Sequence, residues 1–109
     1  MNQGEIWRIT LDPTTGAEIN KTRPSIIINV DALGKLPLRI VAPITDWKEQ
    51  YHNYPWMVKI TPTEQKLSAI DCFQIRSVSI ERFIDMVGSV DAEAISQVQE
   101  AVIKVIGAI

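Results

Sequence analysis

The sequence predicts a mainly β protein of the α+β class: a small, strongly curved antiparallel barrel with a C-terminal α-helix. Two observations predict this fold. Five short apolar segments, rich in β-branched residues, are separated by turn residues, and the end of the chain repeats apolar residues with a helical period. The 109 residues contain no repeat, linker or low-complexity tract, so we expect a single domain over residues 1–109.

The five predicted strands are residues 5–11, 24–30, 38–44, 57–61 and 70–78. Pro43 fits the end of the third strand or a bulge, because proline has no N–H to donate to a ladder. Residues 32–35 are predicted to form a turn. The ten residues 12–21 exceed the usual length of a hairpin connection, and long loops often carry function. Short strands joined by turns, with one terminal helix, are typical of an SH3-like barrel.

The clearest predicted helix follows Asp91, which is expected to cap its N-terminus. Apolar residues then recur at spacings of three and four, at Ile95, Val98, Val102, Val105 and Ile109. Glu100 and Lys104 form a favourable pair one turn apart. Two shorter helical turns are predicted, one from a capping box at residues 61–64 and one after Ser79.

Composition and charge exclude several classes of protein. The net charge of −2 and pI of about 5.3 disfavour a non-specific nucleic-acid binder, so a nucleic-acid site must be a local basic groove. The lone Cys72 cannot form an internal disulfide, and the sequence shows neither a signal peptide nor a membrane-spanning run. We therefore expect a cytoplasmic protein. His52 is the only histidine, which excludes metal sites with several His or Cys ligands, and no cofactor is expected.

The segment Lys21–Ile26 predicts a fixed cation at the start of the second strand. Pro24 disfavours a helical backbone for the residue before it, so Arg23 is biased toward an extended conformation. A permanently charged guanidinium beside a rigid sheet suits phosphate, although a surface arginine in an ordinary turn has the same local pattern. Other polar groups lie in the long loop or at the ends of other strands: Glu18, Thr45, Gln74 and Arg76. If these groups meet at one rim they can bind a phosphodiester, and cleavage of RNA would then use the 2′-hydroxyl of the substrate.

The segment 46–56 concentrates aromatic residues. It contains four of the seven in the chain: Trp47, Tyr51, Tyr54 and Trp56. Bases of a single strand can stack on Trp47 and Tyr51 while Lys48 meets the backbone. A hydrophobic lid over the barrel, or a contact with a partner protein, explains the same composition equally well.

Six segments in order and spacing resemble the MazF/PemK family of toxin endoribonucleases: residues 4–7, 11–14, 16–18, 22–24, 42–45 and 74–77. The resemblance covers nearly the whole chain and implies the MazF/CcdB-like toxin fold. It also implies a homodimer that binds single-stranded mRNA across its groove. The implied reaction is metal-independent, sequence-specific cleavage that leaves a 2′,3′-cyclic phosphate and a 5′-hydroxyl. A cognate MazE-like antitoxin would block the groove with a disordered tail.

The resemblance also assigns roles to individual residues. The catalytic pair of the MazF-like branch corresponds to Arg23 and Thr45, and Glu18 corresponds to the acidic position of the first loop. We expect Glu18 to act as general base, with His52 as a lesser candidate. Arg23 suits stabilisation of charge on phosphorus better than proton transfer, because its pKa lies far above neutral pH. The expected RNA-binding residues are Lys21, Trp47, Lys48, Tyr51, Gln74 and Arg76.

The PemK branch and two other functions provide alternatives. The acid–base set of that branch is absent, because its positions hold Ala17, Asp71 and Phe73 here. A CcdB-like gyrase poison would need an exposed tryptophan near the C-terminus, and this chain has none after Trp56. An inactive RNA-binding relative is disfavoured by the presence of both Arg23 and Thr45.

Overall fold

A computed structural model describes residues 1–61 and 66–108. Within them the chain forms seven antiparallel strands, three 3-10 turns and one α-helix. The strands are β1 (Glu5–Thr10), β2 (Thr22–Ile27), β3 (Leu38–Asp46), β4 (Met57–Ile60), β5 (Ser68–Asp71), β6 (Arg76–Ser79) and β7 (Phe83–Ser89), and helix α1 spans Ala92–Ile106. The predicted mainly β fold with one C-terminal helix is confirmed.

The sheet bends around β3, which changes partners along its length. The strand order is β4-β5-β3-β2-β1-β7, and β6 also pairs with β3. On one edge, the first part of β3 pairs with β6 and its last three residues pair with β5. Pro43 lies between these two stretches, where the missing N–H breaks no ladder bond on that edge. The third strand therefore continues through Pro43 to Asp46, two residues past its predicted end.

The boundaries of β2 differ from the predicted 24–30 for a local reason. The strand ends at Ile27, and the side chain of Asn29 then accepts a hydrogen bond from the N–H of Ile40 at 2.9 Å. A side chain thus takes the place of a backbone ladder bond at this point. The strand begins two residues early, at Thr22, so Arg23 has the extended conformation that Pro24 favours.

The predicted fifth strand, 70–78, was wrong as one element, because it consists of β5 and β6 separated by a turn. The carboxylate of Asp71 accepts hydrogen bonds from the N–H groups of Phe73 and Gln74, at 3.0 and 3.3 Å, and so bends the chain. Strand β7 was not predicted. The helical turn expected after Ser79 lasts only through Ile80–Arg82, and β7 follows it directly.

The apolar side chains form two clusters on opposite faces of the central strands. The larger cluster includes Ile26, Ile44 and Ile70 of the sheet and packs against Val98 and Ala101 of α1. The smaller one lies on the other face of the central strands and includes Ile27. Neighbouring residues of a strand point to opposite faces, so the run of isoleucines in β2 supplies both clusters.

Helix α1 begins as its sequence predicts but ends at Ile106, before the last apolar position of the predicted repeat. The carboxylate of Asp91 accepts a hydrogen bond from the N–H of Ala94 at 2.9 Å, which confirms the predicted N-cap. Gly107 ends the helix with φ of +69°. Residues 62–64 of the predicted capping box, and Ile109, the last apolar position of the predicted helix, lie outside the described residues. No helix in the described part of the chain is long and apolar enough to cross a membrane.

Candidate functional site

A cleft of about 440 Å³ opens beside the ends of β2 and β3. Its polar and charged lining residues are Arg8, Arg23, Thr45, Asp46, Lys66, Ser68 and Ser89. Ile6, Pro24, Ile44, Val87 and Gly88 complete the wall. The described part of the cleft thus contains three cationic side chains and one carboxylate, and this balance of charge favours an anionic ligand.

Arg23 and Thr45, the predicted catalytic pair, line this same cleft. The register of β2 and β3 explains why they do so. The ladder between the two strands ends at the pair Ser25 and Pro43, and Arg23 and Thr45 each lie two residues beyond that pair. The guanidinium is steadied from the first loop, where the carbonyl of Asn20 accepts a hydrogen bond from Arg23 Nε at 3.3 Å.

Two of the cationic side chains in the cleft, Arg8 and Lys66, are each paired with a carboxylate. Arg8 Nε lies 2.6 Å from Asp85 Oδ1, and this contact raises the pKa of the arginine. Lys66 Nζ lies 2.8 Å from Asp46 Oδ1, and the hydrogen bond and charge of Lys66 lower the pKa of the carboxyl below 3.8. Arg23 makes a smaller contribution in the same direction. Asp46 therefore carries its negative charge throughout the neutral range, next to Thr45.

The first loop, 12–21, is fastened to β6 and to the turn before it. Gln74 Oε1 accepts a hydrogen bond from the N–H of Ile19 at 2.6 Å, and Gln74 Nε2 donates to the carbonyl of Ala17 at 3.1 Å. Arg76 Nη1 donates to the carbonyl of Leu11 at 3.0 Å. Neither Gln74 nor Arg76 lines the cleft; Gln74 holds the backbone of the loop, and Arg76 holds the residue that precedes it.

Glu18 and Lys21 also lie outside the cleft lining. The Glu18 carboxylate accepts a hydrogen bond from the N–H of Thr15 at 2.5 Å, within its own loop. Lys21 has φ of +66°, and its N–H donates to Asp12 Oδ2 at 3.1 Å. The structure thus brings together Arg23 and Thr45 but leaves the predicted general base on the neighbouring loop.

The aromatic side chains of segment 46–56 pack on one another and do not line the cleft. The ring of Trp47 lies against those of Tyr51 and His52, with centroids 5.6 and 5.0 Å apart. Lys59 Nζ lies 5.0 Å from the centroid of Trp47. Base stacking on this tryptophan would need to displace the lysine or one of the rings. Lys48 is exposed beside the cluster.

His52, the lesser candidate for general base, lies against Trp47 in the aromatic segment. Its Nε2 lies 3.2 Å from Glu49 Oε2, on the same 3-10 turn. It is absent from the described lining of the cleft. The cysteine provides no nucleophile either, because burial, and to a lesser extent Asp71, raise the pKa of the Cys72 thiol to about 12.

Sequence reasoning missed Arg8, Asp46 and Lys66 as cleft residues. Arg8 pairs with Pro24 in the ladder between β1 and β2, so assuming a hairpin between those strands would have indicated its position beside Arg23. Asp46 follows Thr45 directly. Lys66 had no such signal, because it reaches the cleft only through the pairing of β5 with β3. Among the described residues, no group of three or more His, Cys, Asp or Glu is arranged to hold a metal ion.

Comparisons with known proteins place this cleft in a family context. Residues 2–106 match the family model described as PemK-like, MazF-like toxin of type II toxin-antitoxin system. The endoribonuclease MazF9 of Mycobacterium tuberculosis is 33% identical over 111 aligned positions, which cover 93% of this chain and 92% of that protein.

Two solved structures share the fold. MazF from Deinococcus radiodurans superposes with a TM-score of 0.84 at 18% identity, covering 98% of this chain and 96% of that chain. An endoribonuclease in complex with its cognate antitoxin, from Mycobacterial species, superposes with a TM-score of 0.79 at 15% identity, covering 98% and 95%. The match over almost the entire length identifies the chain: it belongs to the PemK-like, MazF-like toxins of type II toxin–antitoxin systems.

Proposed function

We propose that this protein is a toxin endoribonuclease that cleaves single-stranded mRNA in the cytoplasm, sequence-specifically and without a metal ion. The proposal is supported by the similarity to an endoribonuclease over 93% of the chain. The observation that carries it is the common cleft of Arg23 and Thr45, because these residues bear the guanidinium and hydroxyl that bind a phosphodiester.

The proposed reaction is attack of the 2′-hydroxyl on the adjacent phosphorus. The new bond joins the 2′-oxygen to phosphorus, and the bond to the 5′-oxygen breaks, which leaves a 2′,3′-cyclic phosphate and a 5′-hydroxyl. Negative charge grows on the non-bridging oxygens as five ligands surround phosphorus. Arg23 would neutralise this charge and Thr45 would donate a hydrogen bond to it, both from fixed positions on strands.

The proton acceptor expected from the resemblance is Glu18. The loop that carries it lies beside Arg23, because the carbonyl of Asn20 accepts a hydrogen bond from the Arg23 side chain. A movement of the loop toward bound RNA would be needed to bring the carboxylate to the 2′-hydroxyl. Glu18→Gln tests this role, since it removes the basic group and keeps the shape.

The proposed partners are single-stranded mRNA, a cognate MazE-like antitoxin and a second copy of the chain. The antitoxin is supported by the solved endoribonuclease with its cognate antitoxin, which has the same fold. We propose that one toxin domain, residues 1–109, binds RNA and antitoxin at overlapping surfaces. Candidate RNA contacts besides the cleft are Lys21, Trp47, Lys48, Tyr51, Gln74 and Arg76.

Incubation of the purified protein with a defined single-stranded RNA and EDTA tests the proposal. We expect discrete cuts whose ends carry a cyclic phosphate and a 5′-hydroxyl. Arg23→Ala should lower kcat/KM by about 10³-fold or more, and Thr45→Ala by about 10²-fold. Lys35→Gln, an exposed charge away from the cleft, serves as control. Intact RNA together with inhibition of gyrase would instead favour the non-enzymatic poison.

A further inference from the structure

The lining of the cleft includes a carboxylate and an ammonium group to which the proposed reaction has not assigned a role. Asp46 and Lys66 line it together with Arg23 and Thr45, and Asp46 is the only carboxylate among its described lining residues. The cleavage reaction needs one group that accepts a proton and one that donates a proton. A carboxylate and an ammonium in the same cleft are groups of these two kinds.

The two groups are held by neighbouring strands. Asp46 ends β3 and pairs with Ser68 of β5, and Lys66 lies two residues before Ser68. Lys66 Nζ donates a hydrogen bond to Asp46 Oδ1 over 2.8 Å. Asp46 lines the same cleft as Thr45, the proposed phosphate ligand.

We propose that Asp46 and Lys66 form the proton-transfer pair of the reaction, the carboxylate accepting the proton of the 2′-hydroxyl and the ammonium donating one to the leaving 5′-oxygen. This assignment rests on the proposed ribonuclease function. It differs from the expectation for Glu18, which lies on the first loop outside the cleft lining.

The atoms balance within the pair. The O–H bond of the 2′-hydroxyl breaks as the 2′-oxygen bonds to phosphorus, and the proton passes to Asp46. The bond from phosphorus to the 5′-oxygen breaks, and that oxygen takes a proton from Lys66. The products leave a carboxylic acid beside a neutral amine. Because an amine is far more basic than a carboxylate, the proton crosses the hydrogen bond between them and restores the ion pair.

The exposure of the pair allows it to separate when RNA enters. The side chains of Asp46 and Lys66 are 68% and 66% exposed, and an ion pair open to water is weak and easily rearranged. An incoming phosphodiester competes for Lys66 and Arg23 and adds negative charge near Asp46. Both effects raise the pKa of the carboxyl and make it a better proton acceptor in the complex.

Variants of Lys66 test the donor, with kcat measured on two substrates. Lys66→Arg keeps the positive charge but cannot release a proton near neutral pH, whereas Lys66→Ala removes both. We expect both variants to lose about 10²- to 10⁴-fold in kcat on ordinary RNA. On RNA with sulfur in place of the leaving 5′-oxygen, both should approach the wild-type rate, because a thiolate leaves without a proton. Wild-type activity of Lys66→Arg on ordinary RNA would overturn the assignment, and so would an equal loss on both substrates.

Variants of Asp46 test the acceptor. Asp46→Asn should lower kcat by about 10²- to 10⁴-fold on both substrates, without raising KM. A carboxylate that only repelled the RNA would give the opposite result, tighter binding with an unchanged kcat, and this would refute the proposal. Asp46→Glu should recover part of the activity. If Glu18→Gln abolishes kcat while Asp46→Asn keeps it, Glu18 is the acceptor.

Matched charge changes on helix α1 provide the control. Glu100→Gln and Lys104→Gln alter exposed charges on α1, no residue of which lines the cleft, and should leave kcat and KM unchanged. If the wild-type protein itself leaves RNA intact, the proposed function fails and this assignment fails with it. If the wild type cuts RNA but the Asp46 and Lys66 variants cut equally well, only the proton-transfer pair is wrong.

Discussion

Arg23 and Thr45 come from two neighbouring strands and line one cleft. Each lies two residues beyond Ser25 and Pro43, the last pair of the ladder between β2 and β3. The guanidinium supplies charge and the hydroxyl a directed hydrogen bond, so the two act on different features of one phosphate. Neither group is suited to take a proton at neutral pH, which is why the nearby carboxylate and ammonium matter.

The pH dependence of kcat/KM distinguishes a carboxylate from a histidine as the proton acceptor. Lys66 lowers the pKa of Asp46 below its ordinary value of 3.8, so in the free enzyme this carboxylate is ionised well below neutral pH. We therefore expect kcat/KM to remain level from about pH 7.5 down to about pH 5. A histidine base would instead give a fall in kcat/KM near the ordinary imidazole pKa of about 6.5. A fall in kcat/KM in that pH range that persists in Asp46→Asn and disappears in His52→Gln would contradict the prediction.

The buried charge of Asp71 costs free energy, whereas its side-chain oxygen is needed to hold the turn between β5 and β6. Burial raises the pKa of this carboxyl above 3.8, although the N–H groups of Phe73 and Gln74 act in the opposite direction. The folded protein thus binds the proton more tightly than the unfolded chain does. The stability linked to this group is present at pH below 3.8 and is lost as the pH rises through the folded value.

Two substitutions separate charge from geometry at Asp71, with the free energy of unfolding in urea as the measurement. Asp71→Asn retains an oxygen that can accept both turn hydrogen bonds and avoids the buried charge, so it should match or exceed the wild-type stability at pH 7. Asp71→Ala leaves the turn N–H groups without this acceptor and should cost about 1–3 kcal/mol. Equal losses in the two variants would show that the charge itself is required.

At the scale of elements, the first loop depends on its attachment to the segment around β6. Gln74 holds the N–H of Ile19 and the carbonyl of Ala17, while Arg76 holds the carbonyl of Leu11. A long loop without regular structure is thereby ordered next to the cleft. After these two hydrogen bonds, the Gln74 amide still has one N–H and one oxygen lone pair that can contact RNA.

Hydrogen exchange tests the role of Gln74 as a loop anchor. In Gln74→Ala, exchange of the Ile19 amide should accelerate roughly five- to tenfold, as expected from the loss of one hydrogen bond of about 1 kcal/mol. Amides of β1 should keep their protection. Unchanged exchange at Ile19, together with weaker RNA binding, would indicate that Gln74 serves RNA alone.

Strands with β-branched runs and the capped helix could be predicted from the sequence because their signals are local. The split between β5 and β6 could not, because a side-chain turn at Asp71 interrupts an otherwise continuous strand pattern. Strand β7 was missed because most of its residues are exposed, apolar ones included, so it shows no alternation of buried and exposed positions. Arg23 and Thr45 follow from strand ends and from family resemblance, whereas Lys66 reaches the cleft only through long-range pairing.

At the scale of the whole molecule, exposed apolar side chains indicate association. One group of them lies on β3 and on β7, a strand at one end of the sheet order: Leu38, Ile40, Ile84, Met86 and Val87. Apolar surface of this kind on a small protein often marks an interface. Light scattering at micromolar concentration should therefore give a mass about twice the 12.2 kDa of the chain. A species of single-chain mass at that concentration would contradict a stable homodimer.

The proposed reaction requires Arg23 and Thr45 to bind the same scissile phosphate. A crystal structure of the protein with an RNA that lacks the 2′-hydroxyl at the cleavage position tests it most directly, because this substrate binds but cannot be cut. We expect one phosphate in the cleft, with the Arg23 guanidinium and the Thr45 hydroxyl each within about 2.7–3.1 Å of its oxygens. A scissile phosphate outside the cleft, or two groups that hold different phosphates, would contradict it.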